Sequence, residues 1–307
     1  MYQVTRILVG LDMSYMDDKV IPYAFNIART VQAKRIFFAY FATKSWQKKL
    51  KQTGQSANSF IEGKRLFSKY FQEKIKAHQP EDCIAETIVK IEEGDPLTEI
   101  LALSKTHNID LIAVGRKSTS PHMQILTKRL VRRALCSVLC ITENPKLEFK
   151  RILVPISYDR YARYAVERAV EFVHDHPEVE LVCFNAYQVP TGYHASGHSR
   201  EKFAEIIREQ SKKRYERFIK SVDTQDVNII PRFALSKSNN PAQNIYQAAL
   251  VEHADLIVMG SRGRTAVAAR FMSSTAERLS MLNVNIPLLV LKDRHTNLGF
   301  FEALQRL

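Results

Sequence analysis

The chain carries its own pattern twice. "RILVG" begins at Arg6 and "RILVP" at Arg151, an offset of 145; "DLIAVG" ends at Gly115 and "DLIVMG" at Gly260, the same offset. Two well-separated landmarks with one spacing and no net gap indicate duplication of a domain-sized unit rather than a solenoid repeat. The polar stretch "ENPKLEFK", with Pro145, marks the seam. The expected division is a first domain over 1–146, a second over 147–292, and a tail over 293–307. The tail residues "NLGFFEALQRL" are amphipathic and should pack back on their own domain.

Within the second copy, short apolar runs alternate with amphipathic ones. "RILVPI", "ELVCFNAY", "VNIIPRFAL", "DLIVMG" and "IPLLVLK" read as strands. "RYARYAVERAVEFVHD", "REKFAEIIREQSKKRYERFIKSV", "PAQNIYQAALVEH" and "TAERLSML" read as helices, the third with Pro241 in its first turn. The first copy repeats the strands as "RILVGL", "RIFFAYF", "IVKIEEG", "DLIAVG" and "SVLCIT". This alternation predicts an α/β fold of two doubly wound, mainly parallel sheets covered on both faces. Ligands of such sheets bind beyond the carboxyl ends of the strands, where strand order reverses. The ends of the first, second and fourth strands of each copy should gather there.

Composition narrows the classes. Apolar residues make up 45% and charged residues 25%, which suffices for a soluble core. No apolar run reaches the roughly 18 residues of a membrane span, and "MYQVTRILVG" lacks the pattern of a secretory leader, so a cytoplasmic protein is expected. Cys136 and Cys140, four apart on a strand, would lie about 13 Å from each other, too far for a disulfide. With Cys83 and Cys183 they are read as buried thiols, and no spacing suggests zinc. The net charge of +13 is spread over helix surfaces such as "KRLVRR" without aromatic interleaving, which argues against a nucleic-acid partner.

The stretch "DLIVMGSRGR" carries the functional signal. A strand ends at Met259, Gly260 and Gly263 flank Ser261 and Arg262, and a helix follows near "AERL". Glycines let backbone amides approach a phosphate, Arg262 and Arg264 supply cations, and Ser274 or Thr275 could donate hydroxyl bonds at the helix start. The competing reading is a plain strand-to-helix turn.

These residues resemble the universal stress protein family in its tandem form, over nearly the whole chain and once per half. In that family the first strand ends in an aspartate followed by Gly-Ser or similar. The fourth strand leads to Gly-x-x-Gly, nine residues, then Gly-Ser or Gly-Thr. The resemblance implies a five-stranded, Rossmann-like, adenine nucleotide alpha hydrolase-like fold, ATP as cofactor (with Mg²⁺ possible), and a pseudo-dimer built within one chain. It places the second-copy nucleotide site at Ser157, Met259, Gly260, Arg262, Gly263, Arg264, Ser273, Ser274 and Thr275, with Asp159, Ala186 and His194 as further candidates. Departures are visible: Ser157 stands at the aspartate position and Ser273 at the second-motif glycine.

The first copy departs the other way. It keeps Asp12 and Ser14, but Gly115 is followed by "RKSTSPHMQILTKRL" with Ser118 where the second glycine would be. Its stretch to the last strand is five residues shorter than in the second copy. Asp12 and Gly115 therefore mark a degenerate site that should not hold ATP in the family manner.

Other features have plainer readings. "YQVPTGYHASGHSREKF" (187–203) is a shaped loop at the carboxyl edge, from which Tyr193, His194 or His198 could touch a nucleotide. Its glycines argue against a zinc-chelating helix, so no metal is expected. "HDHP" (174–177) reads as a helix end, and Gly94 with Pro96 as a strand-to-helix turn. No nucleophile elbow, carboxylate pair or Walker lysine emerges, so an enzyme is not expected. The leading expectation is a stress-response sensor or adaptor that binds an adenine nucleotide in its second domain. A nucleotide-free scaffold, a homo-dimer or another protein partner, and a very slow ATPase are the alternatives.

Overall fold

Each apolar run named above becomes a strand because it has β-branched or aromatic side chains on both faces and helices to cover them. A computed structural model describes residues 4–197, 199–236, 238–261, 275–282 and 285–292. The chain falls into two units, Met1–Leu147 and Glu148–Leu307.

The first unit runs β1 (Arg6–Leu11), α1 (Asp17–Thr30), β2 (Arg35–Ala42), α2 (Trp46–Lys51), α3 (Phe60–His78), β3 (Glu86–Glu93), α4 (Pro96–Thr106), β4 (Leu111–Gly115), α5 (Pro121–Arg133) and β5 (Ser137–Ile141). Its strands lie in the order β3-β2-β1-β4-β5, each pair parallel. The second unit runs β6 (Arg151–Pro155), α6 (Arg160–Asp175), β7 (Glu180–Tyr187), a 3-10 turn (Thr191–Ser196), α7 (Arg200–Ile219), β8 (Ile229–Leu235), α8 (Pro241–Val251), β9 (Leu256–Ser261), α9 (Thr275–Leu282) and β10 (Leu288–Lys292). Its order, β8-β7-β6-β9-β10, is the same and also parallel. Strand order reverses beside β1 in one unit and beside β6 in the other, which opens a crevice at the carboxyl ends of β1/β4 and of β6/β9.

Helix placement follows from caps and stripes. α6 starts because Asp159 accepts from the amides of Tyr161 and Ala162, both at 2.9 Å. It buries Ala162, Ala165, Val166, Ala169, Val170 and Val173, a stripe at helical spacing. α4 starts at Pro96 behind Asp95, whose carboxylate accepts from Thr98 N at 3.0 Å. Gly94 ahead of it has φ +151, a backbone that glycine accommodates without strain.

The duplication persists at the level of single hydrogen bonds. Asp110 accepts from Thr5 N and Arg6 N at 2.8 and 2.9 Å, and Asp255 accepts from Lys150 N and Arg151 N at 2.9 and 3.1 Å. Arg6 donates to the His107 carbonyl at 3.1 Å, and Arg151 to the Glu252 carbonyl at 2.7 Å. These clamps hold the amino ends of β1 against β4 and of β6 against β9. They fix the ends of the sheets opposite the crevices.

The 187–203 segment differs from its sequence reading. Thr191–Ser196 forms a 3-10 turn that contains Gly192 and ends at Gly197, the latter in the left-handed region at φ +71. A 3-10 turn needs only short i→i+3 bonds, here Tyr193 N to Pro190 O at 3.1 Å and Gly197 N to His194 O at 3.3 Å, so these glycines do not prevent it.

All four cysteines are free and buried, and burial pushes the thiols of Cys140 and Cys183 up to about 12. A thiol held protonated is a poor nucleophile. The native protein should therefore react with a chromogenic disulfide only as fast as it opens, and release all four thiols once unfolded in guanidinium. Immediate reaction of Cys140 or Cys183 in the native state would contradict this.

Candidate functional site

In both units the first strand ends in a tight turn with one left-handed residue, Met13 at φ 59 and Tyr158 at φ 62. The residues around it are exchanged between the copies. Asp12 and Ser14 in the first unit correspond to Ser157 and Asp159 in the second, and each serine donates to its aspartate, at 2.5 and 3.0 Å. The exchange moves the carboxylate from the strand end to the helix start. Asp159 thereby becomes the cap of α6, while Asp12 stays at the crevice.

In the first unit that carboxylate is taken by the chain itself. Lys117, on the loop after β4, donates its Nζ to Asp12 Oδ2. The same ammonium lies 5.7 Å from the centre of the Tyr15 ring, which adds a cation–π contact. Lys49 of α2 donates to the Asp12 carbonyl at 3.2 Å. Trp46 anchors α2 by lying over Gly63 of α3, where a Cβ would come within 2.6 Å of the indole ring.

Two further carboxylates tie down the loops of the first unit. Glu143 accepts from Tyr15 Oη at 2.7 Å, Ser118 N at 3.1 Å and Ser118 Oγ at 3.2 Å. The hydrogen bond from Tyr15 is the main cause of the lowered pKa of Glu143, and it raises that of Tyr15. Asp17 is buried at the head of α1 and accepts from the amides of Asp12 and Met13 at 3.1 and 2.9 Å. Burial first, then the neighbouring Asp12 charge, push its carboxyl up to about 7. Only residues 116–120 join β4 to α5, and Ser120 caps that helix at once. Thus Asp12 and Gly115 sit together at the crevice, but Asp12 is engaged by Lys117 and the loop is cross-linked.

The second unit is arranged differently at the same place. β6 pairs with β9 only through Ile152↔Leu256 and Leu153↔Ile257, whereas β1 pairs with β4 as far as Gly10↔Val114. The early parting has a cause in sequence: Pro155 stands where β1 has Gly10, and proline offers no amide to a ladder. Beyond it Ser157 is exposed. Gly260 lies where the strands part, and an added Cβ would sit 2.1 Å from the Tyr161 carbonyl oxygen. The first turn of α6 therefore needs a glycine on β9 regardless of any ligand.

The remaining candidates fall as follows. Met259 is buried on β9 opposite Val290 of β10, so its side chain belongs to the core. Ala186 pairs with Ala234 near the carboxyl end of β7. His194 is exposed and stacks on Tyr193 with ring centroids 3.9 Å apart, and Tyr193 in turn approaches Phe203 at 6.2 Å. Thr275 is the first residue of α9. Arg262, Gly263, Arg264, Ser273 and Ser274 lie outside the described residues, as do His198 and the tail over 293–307. Among the described residues no group of three or more His, Cys, Asp or Glu could hold a metal ion, and no helix is long and apolar enough to cross a membrane.

Sequence reasoning missed Lys117, Lys49 and Asp17. Lys117 carried a faint signal, a cation two residues after Gly115 in a shortened loop. Its partner is 105 residues away, so nothing local could reveal the pair.

Comparison with known proteins gives a consistent answer. The model of the universal stress protein family matches residues 3–142 and again 148–292. A universal stress protein of Thermus aquaticus is 34% identical over 133 residues, which cover 43% of this chain and 90% of that protein. One from Methanocaldococcus jannaschii is 28% identical over 157 residues, covering 50% of this chain and 87% of that protein. Among solved structures, a universal stress protein from Archaeoglobus fulgidus matches with a TM-score of 0.60 at 20% identity, covering 94% of this chain and 97% of that one.

Proposed function

The chain belongs to the universal stress protein family as two consecutive family domains, and from that premise we propose that its second unit binds an adenine nucleotide. The first unit serves as a structural partner with a self-occupied crevice, and the protein acts as a sensor or adaptor rather than an enzyme. The observation that carries this reading is the contrast at the two crevices. In the first, Lys117 neutralises Asp12 and Glu143 binds both the Tyr15 hydroxyl and Ser118. In the second, the strands part early and Ser157 is exposed, ahead of a sequence that keeps Gly-Ser-Arg-Gly and the paired serines. Backbone amides beside glycine, two arginines and hydroxyls at a helix start suit a triphosphate. Mg²⁺ would accompany the nucleotide through its phosphates.

A second reading, a scaffold without nucleotide, has its own observations. Gly260 is explained by the Tyr161 carbonyl and Asp159 by its cap on α6, so neither residue requires a ligand.

Calorimetric titration with ATP and Mg²⁺ separates the two. Saturable heat in the wild type, and at least about a hundredfold loss on Gly263→Val, are expected from the loss of phosphate-directed hydrogen bonds worth about 1.5–3 kcal/mol each. The absence of heat in the wild type supports the scaffold.

A further inference from the structure

At the opposite end of the second sheet lies a groove that the nucleotide reading does not use. It encloses about 310 Å³ between the end of α6 and the turn from α7 to β8. That volume is in the range of small-ligand pockets. Val173, Val179, Val227 and Ile230 contribute apolar walls, and His174, Glu180 and Asp226 are its titratable lining residues. Glu180 is paired with Arg151, at 2.6 Å from Nε. The side chains of Asp226 and His174 make no hydrogen bond or ion pair among the described residues. Gln225 and Asp226 are both left-handed, at φ 47 and 60, and the turn closes through Val227 N to Thr224 O at 2.8 Å.

The first unit shows what fills this place when no ligand is needed. The 145-residue offset puts Arg29 at the position of His174. The sheet registers, Arg35↔Glu86 and Leu181↔Ile229, put Asp82 at the position of Thr224. Arg29 and Asp82 form an ion pair at 2.6 Å that bridges the end of α1 to the turn before β3. The second unit has lost both partners of that bridge and has gained an unpaired carboxylate at the rim.

The geometry points to this groove as a binding site for a small aliphatic amine, such as a diamine. The Asp226 carboxylate and the carbonyl end of α6 favour a cation. The valine and isoleucine walls suit a methylene stem, whose burial contributes about 0.8 kcal/mol per CH₂. Glu180 is already neutralised by Arg151, so the charge a ligand meets is that of the unpaired Asp226 carboxylate, and the selectivity is for positive charge.

The test is calorimetric titration of the full chain with putrescine and, separately, with butyrate. Two variants accompany it. Asp226→Asn keeps a residue tolerant of the left-handed turn, and His174→Arg with Thr224→Asp rebuilds the bridge of the first unit. The expected result is saturable putrescine binding, at least tenfold weaker in both variants with melting temperatures unchanged, and no butyrate binding. Gly263→Val should leave putrescine binding intact, which separates this site from the nucleotide crevice. No putrescine binding in the wild type, equal binding in the variants, or equal binding of butyrate would each overturn the assignment. So would concentration-dependent self-association abolished by the rebuilt bridge, since a second copy would then be the occupant.

Discussion

Gly260→Ala is expected to destabilise the second unit by about 3 kcal/mol or more, at the upper end of what overpacking costs. The new Cβ would lie 2.1 Å from the Tyr161 carbonyl oxygen and 2.7 Å from its carbon. Those are backbone atoms in the first turn of α6, held by the Asp159 cap, and they cannot step aside as a side chain can. Gly115→Ala, at the matching position of the first unit, should cost only about 1 kcal/mol. Its Cβ would meet Val20 Cγ2 at 3.0 Å and Met16 Cε at 3.1 Å, side-chain methyls that need to give by only a few tenths of an ångström. Hydrogen exchange of β6 and β9 amides against urea measures the first effect. Fluorescence of Trp46, the single tryptophan, reports the second from within the first unit. Equal costs at the two glycines would show that α6 does not press on β9 as described.

Asp110→Ala should be nearly as damaging to the first unit, by about 2–3 kcal/mol. One carboxylate oxygen accepts from Thr5 N, Thr5 Oγ1 and Arg6 N, at 2.8, 2.9 and 2.9 Å. Truncation leaves these part-buried donors without that acceptor at the start of the central strand. Asp110→Asn keeps an oxygen acceptor and should recover more than half of the loss. Urea unfolding followed by Trp46 fluorescence gives both numbers. A change within about 0.5 kcal/mol for the alanine variant would mean that the clamp is replaceable by solvent.

Most of the fold was legible because it rests on local pattern. The five apolar runs of each copy became β1–β5 and β6–β10, since strands covered on both faces are written as near-continuous apolar stretches. The helix starts were legible where a cap stands in sequence, as at Asp95-Pro96. The start and anchor of the short helix α2 were not, because "WQKKLK" lacks a cap bond and is held by Trp46 against Gly63, a contact between separate elements.

The site was legible only in part, and for a related reason. The Gly-Ser-Arg-Gly pattern is local and was visible. The dual use of Gly260 was not, because its neighbour is the backbone of Tyr161, about a hundred residues earlier. The degenerate pattern of the first crevice was visible in its shortened loop without the second glycine, but the engagement of Asp12 by Lys117 was not, because only the sheet topology brings that pair together. Likewise Ser157 read as a loss of charge for which Asp159 could substitute from the loop. The structure shows an exchange, with the carboxylate re-employed at Asp159 to start α6.

The central claim is that one crevice of the two takes the nucleotide. Equilibrium dialysis against labelled ATP with Mg²⁺ measures it as moles bound per mole of chain. One nucleotide per chain is predicted for the wild type, unchanged by Asp12→Asn and abolished by Gly263→Val. Two per chain, none, or a loss caused by Asp12→Asn would contradict it.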